Sequence, residues 1–108
     1  MSVSFEDFQE LEIKIGTVKT VADHPDADNL LLLEADVGAE EPRQLVAGIK
    51  DDYEPDGLVG RQIVVLTNLE PAVIRGEKSE GMLLAADGED EISLLQPDVS
   101  VPPGTVVR

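Results

Sequence analysis

The chain has 108 residues, 42% of them hydrophobic, which suits one domain with a single core and argues against intrinsic disorder. Asp and Glu number 23 against 8 Lys and Arg, a formal net charge of -15 that, taken generically, repels nucleic acid and anionic membranes. With no Cys there is neither a disulfide framework nor a thiolate metal site, and no apolar run is long enough to span a bilayer.

The acidic residues are spread along the whole chain rather than gathered in a tail. That pattern suits a carboxylated surface kept soluble at high salt, as halophiles use, with an ordinary acidic protein as the alternative. Met1-Ser2-Val3-Ser4-Phe5-Glu6-Asp7 lacks the basic and apolar layout of a signal peptide, so a soluble cytoplasmic protein is expected.

In chain order, Ser4-Phe5-Glu6-Asp7 has the layout of a capping box and predicts a short helix over residues 5–11. Phe5 and Phe8 share one face of it and are expected to anchor the segment to a core or a partner subunit. Leu11, Ile13 and Ile15 alternate with Glu12 and Lys14, the period of a half-buried strand. Gly16 is read as a bulge or bend, with Val18 and Val21 continuing a strand coiled as a small closed barrel needs. Residues 23–29 form an exposed turn by composition, and strands are predicted over 30–35 and 44–47. Residues 48–60 are irregular with a short helical turn. A fourth strand covers 62–69 and a fifth 82–87, followed by apolar runs at 92–95 and 99–108. Many short strands and no long helical period indicate an all-β barrel or sandwich, one domain over 1–108.

Few residues offer chemistry. The single histidine, His24, lies among Asp23, Asp26 and Asp28, and could serve a nucleophile relay or a weak divalent-metal site. The spacing lacks the glycine and distal glutamate of a calcium loop, and a turn-holding role for His24 is favoured. No phosphate-cradling glycine loop occurs. No catalytic residue, cofactor or metal is therefore assigned. The polar stretch 68–81, between two apolar runs, holds the closest pair of cations, Arg75 and Lys78, together with Asn68 and Ser79. Composition alone fits a binding loop and a plain solvated loop equally.

The pattern Asn68-Leu69-x-Pro71 … Arg75-Gly76-x-x-Ser79-x-Gly81-Met82-x-Leu84 resembles the signature of a tRNA-binding domain family. That domain occurs as the C-terminal appendage of bacterial methionyl-tRNA synthetases and as free-standing structure-specific tRNA-binding proteins. Related copies occur in tyrosyl-tRNA synthetases and in endothelial monocyte-activating polypeptide. Phe8-x-x-Leu11-x-Ile13-Lys14-Ile15-Gly16-x-Val18, His24-Pro25-x-Ala27-Asp28-x-Leu30, Gly48-Ile49, Leu58-Val59-Gly60-Arg61 and Pro102-Pro103-Gly104-Thr105 match further blocks in collinear order.

The resemblance implies an OB-fold, a five-stranded Greek-key barrel with a short N-terminal helix and C-terminal extension strands. It implies non-catalytic tRNA binding, as an accessory or β subunit of the methionyl-tRNA synthetase type, in a homodimer built on the N-terminal segment and C-terminal strands. By position, Lys14 and Arg75 would contact phosphates, with Lys78 beside them. Asn68 and Ser79 would bond bases or 2′-hydroxyls, and Met82 is expected to pack beneath the loop. His24 and Asp28 would shape the adjoining turn. Glu70 and Val73 stand where the family commonly has lysines, and Glu80 where glutamine is common, which points to weaker binding. The main alternative is a protein chaperone of the CsaA type in the same superfamily, which lacks the intact Arg-Gly … Ser-x-Gly-Met block. A module that docks a synthetase through protein contacts is the third reading.

Overall fold

One long strand positions every other element. A computed structural model describes residues 1–108, and in it β1 (Ile13–Asp23) runs for 11 residues. One edge of β1 pairs antiparallel with β4 (Gln62–Leu66), from Ile13↔Leu66 to Thr17↔Gln62. Its other edge pairs with β2 (Leu31–Asp36) from Thr17 onward and, before that point, with the C-terminal β10 (Val106–Val107). The C-terminal segment thus fills the stretch of β1 that β2 leaves open, with Ile15 and residues 104–105 exchanging two main-chain hydrogen bonds between them.

Strand β3 (Arg43–Ala47) pairs with β2, and β7 (Met82–Leu83) with β4, giving the order β3-β2-β1-β4-β7. The ends of that five-strand path come together where Glu80 N donates to Gln44 O at 2.8 Å. The result is an all-β, nearly closed antiparallel barrel of the OB-like kind, as expected from the sequence.

Period-two alternation fills it. Leu31, Leu33 and Ala35 of β2, Leu45 and Ala47 of β3, and Ile63 and Val65 of β4 all point inward with Val18. Leu58, at the end of the one-turn helix α2 (Pro55–Leu58), plugs the barrel and is fully buried. Pro55 starts that turn, where a missing N–H costs nothing. Each buried Leu, Ile or Val of this core contributes about 1.5–3 kcal/mol. The one ion pair, Lys50 to Asp23 at 3.3 Å, is a surface contact of at most about 1 kcal/mol. The core, not the charge, holds this fold.

Several local expectations are corrected. Gly16 sits in regular register with Ile63, and the irregularity in β1 falls between Val18 and Thr20. Gly16 is needed instead for close approach, since a Cβ there would lie 3.1 Å from Val37 Cγ1 inside the barrel. The fifth strand is broken at Leu84, where the chain changes partner. The Leu84 amide still donates to Val64 O of β4, while its carbonyl accepts from Leu95, beyond the hairpin of β8 (Ala85–Asp87) and β9 (Ile92–Leu94). Helix α1 (Phe5–Gln9) is capped as predicted, with Ser4 Oγ accepting from Asp7 N at 3.1 Å. No residue of α1 is buried, however, so Phe5 and Phe8 do not anchor it to this chain's core.

The Pro102-Pro103-Gly104 tail acquires a physical reason. Gly38 and Gly104 both have positive φ and pack so closely that a Cβ on either would lie 2.9 Å from the other's Cα. Replacing Gly104 with Ala should lower stability by about 2 kcal/mol or more, read as a fall in the urea midpoint. Gly57→Ala in α2, where a Cβ meets nothing within 4 Å, should leave the midpoint unchanged or slightly raised.

Candidate nucleic-acid interface

The stretch expected to be a polar loop folds as a hairpin of β5 (Ala72–Ile74) and β6 (Glu77–Ser79). Arg75 and Gly76 form its two-residue turn, with φ of 53° and 90°. Positive φ at both positions is the type I′ geometry whose twist matches a tight hairpin. Arg75 is the one non-glycine residue with positive φ, so the tip carries strain that glycine or asparagine would relieve. Arg-Gly is a weaker hairpin signal than Asn-Gly, which is why composition suggested an irregular loop.

Alternation sorts the hairpin's side chains. Val73 and Lys78 are cross-strand partners and share an exposed face. Ala72, Ile74 and Ser79 lie on the opposite face, where they line a shallow apolar groove with Val46, Leu69 and Met82. Met82 is 47% exposed on that groove, not packed beneath the loop.

Ser79 is 5% exposed, and its hydroxyl is fully engaged. Its Oγ accepts from Val46 N at 3.1 Å and donates to Gly81 O at 3.0 Å, clipping β3 to the hairpin's end. Gln44 Nε2 donates to Lys78 O at 2.8 Å, and Arg43 Nη1 donates to Thr67 O at 2.6 Å and Glu80 O at 3.1 Å. Arg43 and Gln44 were not singled out from the sequence. Their partners lie more than twenty residues away, and no local pattern marks such a role.

Asn68 holds another junction. Its Oδ1 accepts from Glu12 N at 2.8 Å and its Nδ2 donates to Glu10 O at 2.7 Å, tying the end of β4 to the segment between α1 and β1. Thr67 adds N and Oγ1 donations to Glu12 O, both at 2.8 Å.

His24 is 5% exposed, although its turn was expected to be exposed. Its Nδ1 accepts from Asp26 N at 3.0 Å, which requires a lone pair there and places the ring proton on Nε2. Nε2 then donates to Ile74 O at 3.1 Å, across to the hairpin. Arg75 Nη2 completes the link by donating to Asp26 O at 3.0 Å. With both ring nitrogens bonded to main chain, His24 is a turn-holding residue rather than a relay or a ligand. No three His, Asp or Glu side chains converge anywhere, and Asp28 is exposed outside the network.

The eight cations divide clearly. Arg43 belongs to the barrel seam, Lys50 pairs with Asp23, and Arg61 lies 5.4 Å from the Tyr53 ring centroid with Gln96 Oε1 at 3.3 Å. Lys14 is half-buried on β1, in register with Val65 and Val106. Lys19, Lys78 and Arg108 are exposed, and Arg75 is exposed with most of its donors free. Lys78 and Arg75 therefore stand together on the hairpin as cations directed to solvent.

A small OB-like barrel with a polar hairpin beside its third strand presents a strand face and flanking loops of the kind such barrels use for binding. The chain belongs to the tRNA-binding domain family: residues 13–106 match the family model described as "Putative tRNA binding domain". It is 46% identical over 106 residues to a methionine–tRNA ligase of Thermococcus kodakarensis, and 45% identical over 107 residues to that of Methanococcoides burtonii. Each alignment covers 98% of this chain but only 14% and 16% of those relatives. Among solved structures, a MetRS related protein from Pyrococcus horikoshii superposes with a TM-score of 0.92 at 31% identity, covering 100% of this chain and 99% of that one. The chaperone CsaA of Bacillus anthracis superposes with a TM-score of 0.90 at 35% identity, covering 100% of both chains.

Ser79→Ala leaves Val46 N and Gly81 O without their buried partner and should cost about 1–3 kcal/mol. Lys78→Ala should change stability by less than about 0.5 kcal/mol. Chemical denaturation of the two variants side by side checks the contrast.

Proposed function

We propose that this chain binds tRNA without catalysing a reaction, and that Arg75 and Lys78 on the β5–β6 hairpin make its principal phosphate contacts, with Lys14 as a third. The observation that carries this reading is the division of the cations. In a chain of net charge -15, two solvent-directed cations, Arg75 of the family motif and its neighbour Lys78, sit together on one hairpin. Phosphate contacts of this kind position an RNA without reading its sequence. Asn68 and Ser79 support the surface through main-chain bonds, so shape and the hairpin's backbone carry more of the recognition than their side chains do. Met82 and the apolar groove beside it offer a face for an unstacked base.

The likeness to methionine–tRNA ligases supports a role as an accessory or β-type subunit that raises the local concentration of tRNA for a catalytic partner. Val3, Phe5, Phe8 and Leu11 at the N-terminus, with Val99 and Val106 near the C-terminus, are all exposed apolar side chains, Phe5 at 70%. We assign them to a homodimer interface, since contiguous apolar surface on a monomer marks an interaction site. A cytoplasmic setting and a high-salt habitat complete the reading, the latter from the unpaired carboxylates. A peptide-binding, chaperone-like role is the second reading. It is favoured by the apolar groove of Val46, Leu69, Ala72, Ile74 and Met82 and by the likeness to CsaA.

Arg75→Asn removes the charge while retaining a residue that tolerates positive φ, so the turn is kept. Its affinity for tRNA should fall about three- to tenfold, with unchanged thermal stability. Equal affinity in variant and parent would remove Arg75 from the interface. Deleting the residues before Leu11 should shift the chain from dimer to monomer in sedimentation. A truncated protein that still sediments as a dimer would contradict the assigned interface.

A further inference from the structure

His24 is the chain's only histidine, it is buried, and no step of tRNA binding uses it directly. Its ring nevertheless connects the two segments that frame Arg75. Asp26 N–H donates to Nδ1, Nε2 donates to Ile74 O one residue before Arg75, and Arg75 returns a hydrogen bond to Asp26 O. These three bonds close a ring of contacts between the 24–26 turn and the hairpin tip. They hold a non-glycine residue at φ 53°. Strain of that kind persists only where the surroundings over-determine it.

We propose that His24 is a positioning residue for the RNA-binding hairpin, acting only in its neutral form, so that the clasp is a proton-operated latch on Arg75. This deepens, and rests on, the assignment of Arg75 to the tRNA interface. Protonation places a hydrogen on Nδ1 where Asp26 N–H already points, setting two donors against each other. That bond is lost and the Asp26 amide is driven off the ring, so the 24–26 turn shifts and carries the Asp26 carbonyl away from Arg75, while the charged ring keeps its Nε2–H for Ile74 O. The charged groups near the ring are Asp23, Asp26 and Asp28 on its own turn, Lys50 paired with Asp23, and Arg75 and Glu77 from the hairpin. None of their charged atoms bonds to the imidazole. The order of the hairpin is therefore present at the higher pH and lost as the pH falls.

This sign is opposite to that of simple charge. Adding a proton to an acidic protein should strengthen its attraction to RNA. The latch makes tRNA binding weaken on acidification, because the hairpin that carries Arg75 is no longer held.

The test lowers the pH of the full chain stepwise and reads the protonation of the ring directly. Long-range nitrogen–proton spectra report the ring, amide exchange across residues 72–79 relative to β2 reports the hairpin, and anisotropy with total tRNA reports binding. The expected result is an Nε2-protonated ring at the higher pH, hairpin exchange that accelerates as the ring protonates, and a roughly tenfold loss of affinity over the same interval. In His24→Asn the hairpin should exchange rapidly at every pH and affinity should be low and nearly pH-independent. The wild-type titration stands without that variant if it folds poorly. Hairpin protection that ignores the protonation of the ring overturns the latch, as does affinity that rises on acidification. Loosening of the hairpin in a protein that binds no tRNA at any pH upholds the latch and removes the RNA-binding role instead.

Discussion

Between β3 and the β6–β7 segment, the main chains meet at Glu80 N to Gln44 O, and three side chains complete the closure. Ser79 satisfies Val46 N, Gln44 reaches Lys78 O, and Arg43 gathers Thr67 O and Glu80 O. Buried main-chain groups must find partners, and here side chains supply them where strands have splayed too far to form a ladder. The splay lets β5 and β6 leave the barrel wall and stand out as a hairpin. Loss of the seam would release the hairpin, open the core at Leu45 and Ala47, and scatter the cations it presents.

The same constraint explains how much the sequence revealed. Leu11, Ile13 and Ile15 alternating with Glu12 and Lys14 marked the start of β1, because a half-buried strand has a strict period, and the apolar runs at 30–35 and 62–69 were readable as strands. Ser4 as a cap and Pro55 at a helix start are local signals, and the structure uses both. The glycine at position 16 was legible as important but not for its reason, which is the approach of Val37 just past the end of β2. Ser79 and Asn68 stood out as polar members of a motif, yet their hydroxyl and amide bond to main chain contributed by residues 33 and 58 positions away. A pattern in one dimension shows that a side chain matters; only packing shows whether it faces ligand or protein. The burial of His24 beneath the hairpin was likewise invisible in a turn written almost wholly in Asp, Asn and Pro.

What is left for a ligand is limited. Carboxylates dominate the surface, one forms the single ion pair, and the cations assigned to the ligand number two on the hairpin and one on β1. On the proposed reading, few phosphate contacts and the paired footprint of two copies carry the binding. Weak dependence on counterion release is then a direct physical consequence, because the salt slope scales with the number of phosphates neutralised.

The most direct measurement is a titration of the purified chain with folded tRNA across a potassium chloride series, with an unstructured RNA as control. The account predicts saturable binding that prefers folded tRNA, with a slope of only about -2 to -3 in log affinity against log salt. Absence of binding at every salt concentration would contradict it, as would a steep slope shared equally by the unstructured RNA.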